Sequence, residues 1–155
     1  MIKKKFIKIL ILFFFLSGCG YTPIFTNKKI NFSIYEFSAS GNTKLNKIIN
    51  SKLNNYKGSD GSKKFSLTME TSLNKKVSSR DAKGNAKTFR IILDSNILIK
   101  DINDNIKNKS FSKSVDYNNK NNKSELKKYE NETSNNLAEK IADEIIIYLQ
   151  SLSSN

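Results

Sequence analysis

The residues with the most specific binding chemistry are four cations that lie close together in the sequence: Arg80, Lys83, Lys87 and Arg90. The first and last are the only arginines of a chain that has 27 basic residues. A guanidinium group binds phosphate or carboxylate through two parallel hydrogen bonds, whereas an ammonium group acts as a point charge. A turn signal over 80–85 separates the two arginines, so they are predicted to flank one hairpin. The spacing therefore predicts a hairpin that binds phosphate or carboxylate.

Other interpretations of these cations stay open. Arg90 can pair with an acidic residue on a neighbouring strand, such as Glu70, while Arg80 contacts Asp81 within the turn. Basic residues near an anionic membrane surface also gain about 1 kcal/mol each without any defined site. Finally, the chain is rich in Lys, Asn, Ile and Ser, so part of the lysine excess is explicable as compositional drift in an AT-rich genome.

The sequence offers little for catalysis or metal binding. It contains no histidine and one cysteine, which excludes Ser-His and Cys-His nucleophilic sites and histidine-based metal sites. Acidic pairs such as Asp143 and Glu144 are expected to be solvated. Asp101, Asn103 and Asn105 alternate like calcium ligands, but the glycine and the distal glutamate of a calcium loop are missing. We therefore predict a protein that is not an enzyme and has no cofactor and no metal.

The single cysteine, Cys19, ends an N-terminal segment that is typical of export signals. Four lysines accompany an apolar run over 9–16, which is far shorter than the ~20 residues needed to span a bilayer. The letters LSGC at 16–19 resemble the lipobox of bacterial lipoproteins. This resemblance implies that residues 1–18 are removed and that Cys19 carries lipid on its sulfur and on the new amino terminus.

The residue after the cysteine bears on the membrane. In lipoproteins of this kind, an aspartate there commonly signals retention in the inner membrane, and this chain has Gly20 instead. The resemblance therefore implies a lipid-anchored protein of the outer membrane, on its periplasmic side. An ordinary secretory signal with a chance cysteine near its cut, or a short uncleaved anchor, is the alternative.

Length and charge limit the remainder of the chain. Removing residues 1–18 from 155 leaves 137, enough for one core of two layers. We predict a lipidated cysteine with an extended lead over 19–29 and one domain over 30–155, which must be stabilised by packing because no disulfide can form within the chain. The formal charge of +13, less the four signal lysines, is +9. This charge favours an anionic lipid surface or a phosphorylated glycolipid as partner, and export excludes nucleic acid.

The mature chain alternates between strand and helix patterns. A phase change near Tyr35 indicates a bulge in the first strand, and Lys113 interrupts the apolar side of the last strand, which indicates a frayed edge or a bulge. Because the strands alternate rather than being wholly apolar, one face of the sheet is predicted to be packed and the other polar. The predicted fold is α+β, a two-layer sandwich of a four-stranded, mostly antiparallel sheet with two helices packed on one face. In order, the pattern predicts strand 30–37, helix 42–56, strand 65–74, strand 89–99, a turn at 103–105, strand 111–117, a loop over 117–122 and helix 124–152.

Three stretches resemble the lipopolysaccharide-assembly lipoproteins, an LptE-like family, and especially its shorter members. They are GCGYTPIF at 18–25, GNAKTFRIIL at 84–93 and LAEKIADEI at 137–145. Their order, length and spacing carry the resemblance, which spans essentially the whole mature chain. It implies an outer-membrane lipoprotein that plugs an LptD-like β-barrel translocon, assists the assembly of that barrel and helps insert lipopolysaccharide into the outer leaflet.

The resemblance also gives the four hairpin cations a ligand. Lipopolysaccharide carries phosphates on its sugar head, so it is the expected partner of Arg80, Lys83, Lys87 and Arg90. The Asn- and Lys-rich stretch over 117–128 departs from the family, because it is more polar than a surface enclosed by a barrel wall is expected to be. The alternative function is that of a lipoprotein subunit of the general outer-membrane β-barrel assembly machinery, which needs an interface but no glycolipid site.

Overall fold

The structure, a computed structural model, describes residues 30–154 and forms one sheet with two helices. The strands lie side by side in the order β1-β2-β3-β4, with β1 parallel to β2 and the other pairs antiparallel. This arrangement confirms the predicted α+β class. The elements are β1 (Phe32–Gly41), α1 (Thr43–Leu53) with a 3-10 turn at Asn54–Tyr56, β2 (Lys63–Arg80), β3 (Ala86–Asp101), β4 (Ile106–Asn118) and α2 (Lys123–Ser153).

The first strand and helix form as the pattern predicts. The register of β1 against β2 shifts between Ile34 and Glu36, so Tyr35 lies in the predicted bulge. Asn42 caps α1, because its side-chain oxygen accepts a hydrogen bond from the backbone N–H of Leu45 at 3.1 Å. The helix then crosses over the sheet and returns the chain to begin β2 parallel to β1.

One face of the sheet is buried under both helices. Alternate residues of β2 and β3, such as Leu67 and Leu93, are fully buried there. The helices contribute Ile49 and Ile141, which are also fully buried in the same cluster. The opposite face is polar, and its side chains pair across strands: Ser38 donates to Thr68, Ser110 to Asn96 and Ser112 to Asp94.

Two predictions about the last strand are wrong. Lys113 marks neither a frayed edge nor a bulge, because the β3–β4 register runs without a shift from Thr88 to Lys100. Lys113 instead forms an ion pair with Glu144 of α2, so its charge is satisfied on the packed face. The predicted loop over 117–122 begins too early, since Tyr117 lies in β4 and is only 6% exposed. Within residues 30–154, neither helix is long and apolar enough to cross a membrane.

Candidate functional site: the basic hairpin end

The β2–β3 hairpin projects beyond the packed core. Residues 72–85 are all exposed, and the 18 residues of β2 correspond to a strand about 55–60 Å long at ~3.3 Å per residue. Asp81 fixes the turn, because its carboxylate accepts hydrogen bonds from the backbone N–H groups of Lys83 (2.9 Å) and Asn85 (2.8 Å). The backbone N–H of Asn85 has the largest effect on the pKa of Asp81 and lowers it; burial opposes this, but the side chain of Asn85 and the backbone of Lys83 lower the pKa further, so it lies below its usual value. The turn is therefore a defined structure rather than a loose tip.

The four predicted cations lie along this hairpin but do not converge on one point. Arg80 donates to the carbonyl oxygen of Gly84 at 2.8 Å, so its turn contact is not with Asp81. In β3 the odd-numbered residues face the core and the even-numbered residues face the polar side of the sheet. Lys87 is therefore on the same side of the strand as the core residues, and Arg90 is on the polar side. The cations therefore lie on both faces of the ribbon around the turn, and their binding to a glycolipid stays a prediction.

Arg90 has an acidic partner on the neighbouring strand. Its Nε and Nη2 atoms donate to the two carboxylate oxygens of Asp116 at 2.8 and 2.5 Å. This pairing raises the pKa of Arg90, and the hydrogen bonds from Arg90 lower the pKa of Asp116. The prediction that Arg90 pairs with an acidic residue on a neighbouring strand is confirmed. The acidic residue is Asp116 and not Glu70, because Glu70 lies opposite Asn96 further along the sheet.

The structure adds lysines that the sequence pattern did not assign to this site. The segment that joins β4 to α2 lies beside the hairpin: the backbone N–H of Asn119 donates to the carbonyl oxygen of Lys87 at 2.8 Å. Lys120 sits 5.4 Å from the ring centroid of Tyr129. Residues 75–90 and 116–130 together carry ten basic and four acidic residues, so this end of the molecule is strongly positive. The added lysines are Lys75, Lys76, Lys120, Lys123, Lys127 and Lys128.

A partly buried cluster joins the hairpin to α2. Lys75 of β2 and the hydroxyl of Tyr117 both donate to Glu130 of α2, at 2.5 and 2.7 Å. The ammonium group of Lys75 also lies 4.1 Å from the ring centroid of Phe89. Burial, together with the Glu130 carboxylate, raises the pKa of Tyr117, so the phenol stays a donor at neutral pH. This cluster fixes the base of the hairpin against the start of α2.

We expect Glu130→Gln to lower the free energy of unfolding by about 1–2 kcal/mol, because a charged acceptor shared by two donors is lost. Burial raises the pKa of Glu130, but the hydrogen bonds from Lys75 and Tyr117 outweigh it and the net pKa is lowered from 4.5. The carboxylate therefore stabilises the fold above pH 4.5, and this contribution is lost as the pH falls through the lower folded value. Urea denaturation at neutral and acidic pH measures the difference.

The control for this prediction is Glu132→Gln, which removes the same charge from an exposed position of α2. An equal loss of stability in both variants, or a Glu130→Gln deficit that does not shrink in acid, would contradict the assigned cluster.

The calcium-like turn after β3 is closed by its own hydrogen bonds. Asp101 accepts from the backbone N–H groups of Asn103 (2.8 Å) and Asn105 (3.0 Å). The side-chain amide of Asn105 donates to the other carboxylate oxygen at 2.9 Å. Within the described part of the chain, no group of three or more His, Cys, Asp or Glu side chains is arranged to hold a metal ion.

Solved structures share this fold. Rare lipoprotein B from Shewanella oneidensis matches with a TM-score of 0.65 and 19% identity, over 79% of this chain and 98% of that one. A minor lipoprotein from Acinetobacter baumannii matches with a TM-score of 0.59 and 12% identity, over 79% and 92%. Lipoprotein B from Nitrosomonas europaea matches with a TM-score of 0.61 and 9% identity, over 81% and 89%.

No family model matches the chain, and no curated protein sequence matches it significantly. At these identities the structural similarity shows that the chain has the fold of these bacterial lipoproteins. The predicted lipidation site, Cys19, lies outside the described residues.

Proposed function

We propose that this protein is a non-enzymatic outer-membrane lipoprotein that pairs with an LptD-like β-barrel and assists the transfer of lipopolysaccharide to the outer leaflet. The observation that carries the proposal is the shared fold, which extends over 98% of rare lipoprotein B from Shewanella oneidensis. The LSGC motif at 16–19 supplies the corresponding lipid anchor, and the three family-like stretches supply the link to lipopolysaccharide assembly.

In this mechanism the basic hairpin end receives the phosphorylated head of the glycolipid. The charge of residues 75–90 and 116–130 attracts the phosphates, and Lys83 and Lys87 are exposed on the hairpin to contact them. Two hydrogen bonds to the Asp116 carboxylate fix the guanidinium group of Arg90. Because the cations lie on both faces of the ribbon, they suit a ligand with several phosphates better than a single phosphate ion.

The second candidate is a lipoprotein subunit of the general barrel-assembly machinery. That role requires a protein interface and no glycolipid site, so it leaves the positive hairpin end without a ligand. The concentration of ten basic residues at one end favours the first candidate.

The expected product of maturation is a chain that begins at Cys19 and carries a diacylglyceryl thioether and an N-acyl group. Mass spectrometry of the amino-terminal peptide from the envelope protein measures both. Purification of the same protein from envelopes should also recover a large β-barrel protein in equal amounts. Cys19→Ala is the control and should abolish both lipidation and membrane retention. A different amino terminus would refute the anchor, and a stoichiometric general assembly machine in place of the LptD-like barrel would favour the second candidate.

A further inference from the structure

The turn between β3 and β4 displays two isoleucines to solvent. Ile102 is 64% exposed and Ile106 is 58% exposed, which makes them the most exposed large apolar side chains of the described residues. Tight turns usually carry small or polar residues, and Asp101 holds this one in a fixed conformation through Asn103 and Asn105. A fixed turn with two exposed isoleucines gains free energy when a partner covers them.

The chain enters the fold at the same end of the molecule. The carbonyl oxygen of Asn31 accepts a hydrogen bond from the backbone N–H of Lys63 at 3.1 Å, and Phe65 pairs with Asp101 across the sheet. Ile30, which is 46% exposed, therefore lies at the end that carries the β3–β4 turn. Cys19 precedes Ile30 by 11 residues, a distance of at most about 38 Å in an extended chain. A lipid on Cys19 thus keeps this end close to a bilayer.

Basic residues lie beside the turn that carries the isoleucines. A cavity of about 370 Å³ lies between the turn and the start of β2, and its lining includes Ile102, Lys64 and Lys107. Neither lysine forms an ion pair with another described residue. Asp104 is the most exposed acidic residue of this turn, and its carboxylate forms an ion pair with Lys100 at 2.8 Å. The two ammonium groups beside the apolar turn are therefore available to lipid phosphates.

We propose that these four residues form a basal surface that lies on the bilayer. Ile102 and Ile106 enter the interfacial region, while Lys64 and Lys107 lie at the level of the lipid phosphates. The inference rests on the lipid anchor of the proposed function and adds an orientation to it. Because the β2–β3 turn is at the opposite end of the sheet, the basic hairpin is then directed away from the bilayer that holds the anchor.

The test uses the absence of tryptophan from the chain. Ile102→Trp in the mature, lipidated protein places one fluorescent indole in the basal surface. The protein is reconstituted in phosphatidylcholine vesicles, with and without brominated acyl chains that quench indole fluorescence on contact. The matched control is Val77→Trp, an apolar position of β2 that is 38% exposed and lies near the hairpin. The expected result is emission shifted to shorter wavelength and quenching at position 102, with neither effect at position 77.

Each result of this experiment bears on a different part of the inference. Both variants should keep the thermal transition of the unsubstituted protein by circular dichroism, which shows that the indole reports on the native fold. Vesicles that carry the protein while the indole at 102 stays solvated and unquenched would overturn the basal surface alone. A protein that does not float with vesicles would overturn the anchor and the inference together. An indole that is shielded only after a β-barrel partner is added would identify the surface as a protein interface and overturn the bilayer assignment.

Discussion

Ile141→Asp should unfold the domain. Ile141 is fully buried on α2 and packs in the single core between both helices and the sheet. A carboxylate there is desolvated without a partner, at a cost of several kcal/mol, and the whole domain is expected to be stable by only about 5–15 kcal/mol. Circular dichroism and urea denaturation measure the loss as a melting transition that is strongly lowered or absent.

The matched control is Ile147→Asp, which makes the same chemical change on the same helix at a position that is 49% exposed. It should change the free energy of unfolding by no more than about 0.5 kcal/mol, as is usual for surface substitutions. Equal melting transitions in the unsubstituted protein and the Ile141→Asp variant would refute the packing of α2 on the sheet.

Replacing the four hairpin cations with glutamine should weaken the binding of purified lipopolysaccharide by about tenfold or more. An exposed charge contributes up to ~1 kcal/mol, and 1.4 kcal/mol corresponds to a factor of ten in affinity, so the combined change is measurable where a single one is not. Binding is measured by titration of the purified protein at low and high salt, since screening weakens exposed charges. The four changes are Arg80→Gln, Lys83→Gln, Lys87→Gln and Arg90→Gln.

The control removes the same charge elsewhere, at four exposed lysines that form no ion pair with another described residue: Lys44, Lys47, Lys109 and Lys140. A second variant that keeps Arg90 tests whether its pairing with Asp116 removes it from ligand binding. An equal loss of affinity in the hairpin and control variants would show that diffuse charge binds the glycolipid and that no hairpin site exists.

The sequence by itself determined the local structure and much of the fold class. Strict alternation over 65–74, and alternation over 89–99 that only Ile92 and Leu98 interrupt, predict two strands without reference to the neighbouring elements. The helical period that begins at 42 predicts the start of α1, which the structure places directly after the capping residue Asn42. The turn signal over 80–85 predicts the hairpin turn, which Asp81 closes by accepting hydrogen bonds from residues two and four positions ahead. These features depend on neighbours in the chain, so their residues predict them.

The tertiary structure decided which distant residues share a site. The partner of Arg90 is Asp116, 26 residues away, because the register of β4 against β3 places them opposite each other. The packing of α2 on the sheet likewise places Glu144 beside Lys113. It also places the lysines at the start of α2 beside the hairpin. Strand order and register follow from packing the whole core at once, and no local pattern encodes them.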